Sequence, residues 1–471
     1  MNSKDYCPRE FYDEYFVDQT TLRTESAAVL QWFEQRSLAD IAQLSQSAQA
    51  KLKDLGATFR VNGEERALPF DPIPRIIPRH EWQQIEAGLK QRVQAINLFC
   101  ADVYGSQTIV QAEIIPKTVI ESAYRYFPAC QGLRPPQDIW CHISGIDLVR
   151  DRQGQWRVLE DNVREPSGIA YVIKNREVMQ AVMPELLETV KPLPTDDYAH
   201  QLKTVLSSLQ RSPDGVVGIL TKGPSSSSYF EHVYLSEQMG MPLVRPEDLA
   251  IREGFLYSRT DRSWQRIEGL YRRGNTEMFA GLNLGDGITD SRAAIIDLCR
   301  QGKLAIANTL GAGIADDKVI YAYVPEMIRF YLEAEPILPN VPTYLCWRDR
   351  DREYVLDHLD ELVVKAASEE GGEGMLMGTQ STPAEREDFA ARIRNRPRAY
   401  MAQPTIYLSQ IPTVIDGQIV PRHTDLRPFV LHQGDDLYVY PGGLTRVALK
   451  DGQLVVNSSQ GGGSKDTWIV P

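Results

Sequence analysis

The sequence predicts a mixed α/β (α+β) protein of several units, and three observations predict it. The first part of the 471 residues repeats apolar side chains at steps of three and four, the helical period. From Asp138 the pattern turns to short apolar runs separated by turn residues, the mark of strands. From Pro213 a strand, a serine-rich loop, a helix and further strands follow one another, the order of a small α/β domain.

Residues 1–110 read as a mainly helical N-terminal region. Glu25 to Leu55 is helix-like, with Gly56 as its stop. His80 to Tyr104 sets Trp82, Ile85, Leu89, Val93, Ile96 and Cys100 on one face, as core, and Gly105 ends it. Between them PFDPIPRIIPRH carries four prolines and reads as extended and rigid. Residues 111–173 hold IWCHISGIDLVR and QWRVLEDNV around a DRQGQ turn, a β-hairpin. Glu160 and Asn162, two residues apart, fall on one face of its second strand.

Residues 174–310 open with helices at Lys174 to Val190 and Asp197 to Gln210. The small α/β domain follows: strand VVGILT, loop GPSSSS, helix YFEHVYLSEQMG ending at Gly240, then strands MPLV and IEGLYRR. A loop such as GPSSSS either seats an anion at the helix start or only turns the chain. Residues 311–471 begin with a loop and the helix around DDKVIYAYVPEMIRFYL. LDELVVKAASEEGGEGMLMG is strand, glycine-rich turn and strand; AEREDFAARIRNR is a helix; YMAQPTI is a strand. TDLRPFVLHQ, DLYVYPGG, LTRVALKD and QLVVNSSQ make a β-rich end.

Composition excludes several classes. There is no run of 18 apolar residues to span a membrane. The start, MNSKDYCPREFYDEYF, has neither the basic opening nor the apolar core of a signal peptide. Cys7, Cys100, Cys130, Cys141, Cys299 and Cys346 are scattered without a CxxC pair, which points to free thiols in a reducing cytoplasm. A net charge of −12 argues against nucleic acid as the main partner. A local cationic cluster can still hold phosphates.

Phosphoryl transfer from a nucleotide needs cations around the phosphates and hard oxygen ligands for Mg²⁺. Asp147, Glu160 and Asn162 offer two carboxylates and an amide oxygen on paired strands. Taken alone, they equally read as strand-edge polar residues. Lys365 closes the strand ELVVK just before the glycine-rich turn, where a mobile loop can cover a nucleotide. Lys318 opens the DDK helix, Arg427 alternates with Asp425, and Arg446 lies on the adjoining strand. Each of these four cations, taken alone, also reads as a solvated surface residue.

Their order is far more specific. From Lys318 the chain runs helix-borne Lys, strand-ending Lys with a glycine loop, Asp-x-Arg, Arg, then Asn457 with NSSQGGGSK. The Asp and Glu-x-Asn that should come next lie about 300 residues upstream, in GIDLVRD and VLEDN. This order, with PFDPIPRIIP, YRR, ADDK, ILPNVPTY, RPFVL and PGGLTRVAL, resembles the bacterial circularly permuted ATP-grasp family, related to glutathionylspermidine synthase and glutathione-synthetase-like ligases. The resemblance runs from about Tyr12 to Trp468. It implies a circularly permuted ATP-grasp fold with a small pre-ATP-grasp-like α/β domain, using ATP and Mg²⁺.

By that resemblance Asp147, Glu160 and Asn162 bind Mg²⁺, and Lys318 and Lys365 contact the ATP phosphates. Gly371, Gly372 and Gly374 form the lid, and Gln403 leads into the adenine hinge. Arg427 and Arg446 face the transferred phosphate, while Asn457 and the backbone of Gly461, Gly462 and Gly463 hold the intermediate. Glu231, His232, Arg272 and Arg273 are candidates for the acceptor site, or serve only as caps and ion pairs. The implied activity is ligation of a small-molecule carboxylate to an amine by way of an acyl-phosphate, on an amino acid, peptide or polyamine-like acceptor. The competing reading is a degenerate ATP-grasp that binds nucleotide without turnover and serves as a partner or scaffold. The chain departs from the family pattern at Ala366-Ala367-Ser368-Glu369-Glu370, where Lys-Pro and a Gly/Ser lid are expected, and after Tyr271-Arg272-Arg273, where an acidic cluster is expected.

Overall fold

The computed structural model describes residues 6, 8, 10–61, 64–261, 263–285, 287–368, 374–454, 456 and 461–471. The N-terminal region holds two helices, Ala27–Glu34 and Leu38–Asp54, where one was expected. The break falls at Ser37, whose hydroxyl accepts from the Asp40 N–H while the Asp40 carboxylate accepts from the Ser37 N–H. This capping box makes Ser37 a helix start. Helix Arg79–Val103 buries Trp82, Ile85, Leu89, Val93, Ile96 and Cys100 as the periodicity predicts. The proline-rich segment before it ends in strand Arg75–Pro78, which pairs in parallel with Thr467–Val470. The last strand of the chain is thereby joined to the segment that precedes helix Arg79–Val103.

The central sheet has eight strands. Asp436–Val439, Phe429–Gln433, Ile143–Arg150, Gln418–Arg427, Leu444–Val447 and Gly463–Lys465 lie side by side in that order. Trp156–Asn162 also pairs with Ile143–Arg150, and Gln410–Ile415 with Gln418–Arg427. Strands from the first and last thirds of the chain thus form one sheet. TDLRPFVLHQ is divided at Pro428, which has no N–H to give the ladder. Gln453, Leu454 and Val456 are not in a strand, and Gly463–Lys465 takes the sheet position expected of QLVVNSSQ. Helix Lys174 to Val190 is likewise two helices, Ile169–Val182 and Pro184–Val190, because Pro184 cannot continue the first.

A second sheet carries Val216–Thr221, Trp264–Arg273 and Ala305–Ala307 in parallel, with Leu243–Val244 beside the first and an antiparallel pair, Leu249–Arg252 and Phe255–Arg259, on the other side. Helix Tyr229–Met239 follows the serine loop, and Gly240 closes it at φ 66°, the left-handed conformation that suits glycine. A third, four-stranded sheet joins Tyr344–Leu345, Tyr400–Pro404, Leu362–Ala366 and Met375–Met377. Its lobe has a core of its own, built on Val355, Leu362, Val364, Phe389, Ile393 and Ala402. Among the described residues no helix is long and apolar enough to cross a membrane.

Candidate active site

The hairpin of the central sheet sets Asp147 directly opposite Glu160, with Asn162 opposite Gly145 on the same strand. Strand alternation sends Asp161 to the other face. There it is bound at both oxygens by Arg92 of helix Arg79–Val103, at 2.6 and 2.7 Å. Glu160 and Asn162 are left facing the cleft.

Asp147 is the centre of a buried charge cluster. Arg427 donates to it from Nε at 2.5 Å and from Nη2 at 2.9 Å. Arg446 donates from Nη2 at 2.8 Å and also binds Asp425. Burial alone would raise the Asp147 carboxyl, but Arg427 and then Arg446 overcome it and hold it down to about 2. Arg427 also reaches the Ser167 carbonyl at 3.3 Å. The strand beneath it needs Gly145, because a Cβ there would lie 2.8 Å from Pro166 Cβ and 3.3 Å from Arg427 Cδ.

The lysines come from the other side. Lys318 Nζ lies 2.8 Å from a Glu160 oxygen. Its N–H donates to the Ala367 carbonyl at 3.3 Å, so its helix is tied to the end of the Lys365 strand. Lys365 donates to Gln403 Oε1 at 2.7 Å, and Gln403 Nε2 in turn donates to Thr343 at 3.1 Å. Burial pushes the Lys365 ammonium down to about 8; Glu160 and Asp147 oppose the fall and Lys318 adds to it. Asp147, Glu160, Lys318, Lys365, Arg427 and Arg446 therefore share one electrostatic site. Gln403, expected to lead into the adenine hinge, also holds Lys365.

Two carboxylates and an amide are the hard oxygen donors that Mg²⁺ takes. Among the described residues no cluster of three His, Cys, Asp or Glu side chains forms a metal site, so phosphate oxygens and water would complete the shell. That is the usual habit of Mg²⁺ at nucleotides. The buried Asn162 Nδ2 has no hydrogen-bond partner among the described residues. The donor set fits the ion, provided that Asp147 shares its oxygens with the two arginines.

The glycine-rich elements are only partly in view. Gly374, at φ 62°, opens strand Met375–Met377, while Gly371 and Gly372 lie outside the described residues, as does Asn457. Gly463 pairs with Val447 and Ser464 with Arg446, so the loop of Gly461 and Gly462 leads into the strand beside the charge cluster. Lys465 turns away and is buried against Asp71 and the carbonyls of Ile73 and Pro412.

A family model described as circularly permuted ATP-grasp type 2 matches residues 74–448. The chain belongs to that family. An uncharacterized protein of Synechocystis is 50% identical over all of this chain and 99% of its own length. A Frankia alni protein named as a putative glutamate–cysteine ligase is 39% identical over 97% of this chain but only 54% of its own length. A glutathione synthetase-like effector from Globodera pallida superposes with a TM-score of 0.61 at 12% identity, covering 92% of this chain and 98% of the effector. That last likeness is one of fold. In this permuted core the hairpin of Asp147 and Glu160 precedes, along the chain, the lobe that carries Lys365.

The acceptor candidates divide. Glu231 is fully buried; it accepts from the Gly168 and Ala170 N–H groups and pairs with Arg273 at 2.5 Å. Arg272 is buried and donates to the carbonyls of Gly274 and Asn308. Neither is among the lining residues of the cavities described; their bonds are those of a helix cap and of ion-pair and backbone contacts, the second of the two readings the sequence offered. His232 and Arg273 do line a cavity of about 720 Å³, together with Arg125, Arg164, Lys222 and the serine loop. Arg125, Arg164 and Lys222 carried no signal in the sequence, because nothing local marks a side chain that meets its partners only after folding.

Proposed function

We propose that the protein is an ATP- and Mg²⁺-dependent carboxylate–amine ligase acting through an acyl-phosphate. The observation that carries this reading is the Glu160–Lys318 contact of 2.8 Å, at which the metal hairpin meets the nucleotide lobe. Lys318 and Lys365 neutralise the ATP phosphates, and Gln403 fixes the direction of Lys365. Glu160, Asn162 and Asp147 would hold Mg²⁺, which would supply charge neutralisation at the phosphates. Arg427 and Arg446 orient the γ-phosphoryl and the substrate carboxylate. A carboxylate oxygen attacks the γ-phosphorus and ADP leaves; the amine then attacks the acyl carbon, phosphate departs and the amine proton is released. The chain's part is positioning and charge neutralisation, with no covalent enzyme intermediate. The described cysteines are free thiols, which suits the cytoplasm.

Glu369 and Glu370 in the lid favour the reading without turnover, since acids repel phosphates. Every cation and metal donor expected of an active enzyme is nevertheless present in the chain. Two experiments decide. ADP release is screened against amino acids, peptides and polyamines, with and without Mg²⁺. In Glu160→Gln, nearly isosteric, turnover should fall by about a hundredfold or more with the melting temperature little changed. Wild-type turnover in that folded variant would remove Glu160 from the metal site.

A further inference from the structure

We propose that the cavity beside the serine loop binds a carboxylate of the substrate other than the one activated, so that the substrate is a diacid, such as an acidic amino acid or peptide, and no polyamine. The identity of this ligand as substrate rests on the ligase reading; the anion site itself does not.

The cavity stands at the carboxyl ends of parallel strands Val216–Thr221 and Trp264–Arg273, the end at which open α/β sheets take ligands. Its volume of about 720 Å³ suits a small molecule. Among the described residues Arg125, Arg164, Lys222 and Arg273 line it, with one acid, Glu165. Two acids stand behind this wall: Asp316, shared by Arg125 and Arg164 at 3.5 and 3.4 Å, and Glu231, paired with Arg273. Lys222 makes no ion pair among the described residues. The Nε–H groups of Arg272 and Arg273 are buried and have no hydrogen-bond partner among them.

The serine loop completes the site. Burial and then Arg273 push His232 down to about 2, so the imidazole is neutral. It lies between Thr221 Oγ1 at 2.8 Å and Ser228 Oγ at 3.1 Å. Thr221 Oγ1 also accepts from the Gly223 N–H, and Ser228 Oγ lies 3.4 Å from Ser226 Oγ, so the imidazole and the loop hydroxyls form one hydrogen-bonded wall of the cavity. The far wall is close to the chemistry: Ser167 lines the cavity, and its carbonyl accepts from Arg427. A diacid seated here can present its second carboxylate to the charge cluster, whereas a polyamine would meet the cationic side chains of Arg125, Arg164, Lys222 and Arg273.

The test is calorimetry with glutarate and, separately, spermidine on the whole protein without nucleotide. Glutarate should bind and spermidine should not. Lys222→Ala should weaken glutarate about tenfold and Lys222→Glu about a hundredfold, with ADP affinity and melting temperature unchanged. Absence of glutarate binding, equal affinity in both variants, spermidine binding in its place, or displacement of glutarate by ADP would each overturn the proposal. Glutarate binding without ADP formation on any substrate would keep the anion site and remove the ligase reading. ADP formation on a polyamine without glutarate binding would do the reverse.

Discussion

Lys365 sits at the point where the sequence says least and the structure most. As a letter it is one lysine ending a strand; folded, it is buried beside Gln403, Glu160 and Lys318, with its ammonium down to about 8. Triphosphate would favour the charged form, so between about 8 and the bound-state value nucleotide binding takes up a proton. ATP affinity should be nearly flat below about pH 7 and weaken by up to about tenfold per pH unit above pH 8. Calorimetry from about pH 6.5 to 9.5 measures it. Lys365→Met should bind ATP about ten- to a hundredfold more weakly and lose this pH dependence; a variant that keeps both the affinity and the pH dependence would take Lys365 off the phosphates. The position of Glu160 and Asn162 on one face was legible because strand alternation is local. The Arg92–Asp161 pair was not, since it joins residues 69 apart and reads as an ordinary core helix until the fold brings them together.

At the scale of elements, the hairpin of Asp147 and Glu160 illustrates what spacing can and cannot say. Its two strands, its turn and its facing residues follow from period-two alternation. The requirement for Gly145 does not, because it comes from Arg427 and Pro166 crossing the strand from distant parts of the chain. Gly145→Ala should cost about 1–3 kcal/mol and lower turnover by shifting Arg427, read by urea denaturation and ADP release. Unchanged turnover would show that Arg427 tolerates displacement. The lid acids belong to this scale too. Replacing Glu369 and Glu370 by Gly or Ser should tighten ATP binding, most at low ionic strength where repulsion is unscreened. Loss of activity in that double variant would instead give the acids a positive role. Breaks at Ser37, Pro184 and Pro428 had local signals, a capping pair and two prolines. The move of the last sheet strand to Gly463–Lys465 had none, since the apolar run QLVV is the better strand by composition alone.

Across the whole molecule, the order of motifs was legible and the joints between domains were not. Asn308 is one such joint. It follows strand Ala305–Ala307, adopts φ 54°, which asparagine tolerates, and is fully buried. Its side chain bonds both the N–H and the carbonyl of Ile143 and the carbonyl of Arg164, locking the sheet of Ala305–Ala307 to the strand Ile143–Arg150. Asn308→Ala should cost at least about 2 kcal/mol by leaving those groups unpaired. Denaturation measures this, and a loss below about 0.5 kcal/mol would remove it as a joint. Permutation itself carries little penalty, since closure entropy grows only as the logarithm of the separation. The central claim is that the hairpin of residues 143–162 and the last third of the chain build one Mg–ATP site. A crystal structure with Mg²⁺ and a non-hydrolysable ATP analogue tests it most directly. The account predicts a metal about 2.1 Å from oxygens of Glu160 and Asn162, with phosphate oxygens on Lys318 and Lys365. A nucleotide bound away from Glu160, or touching only one of the two chain segments, would contradict it.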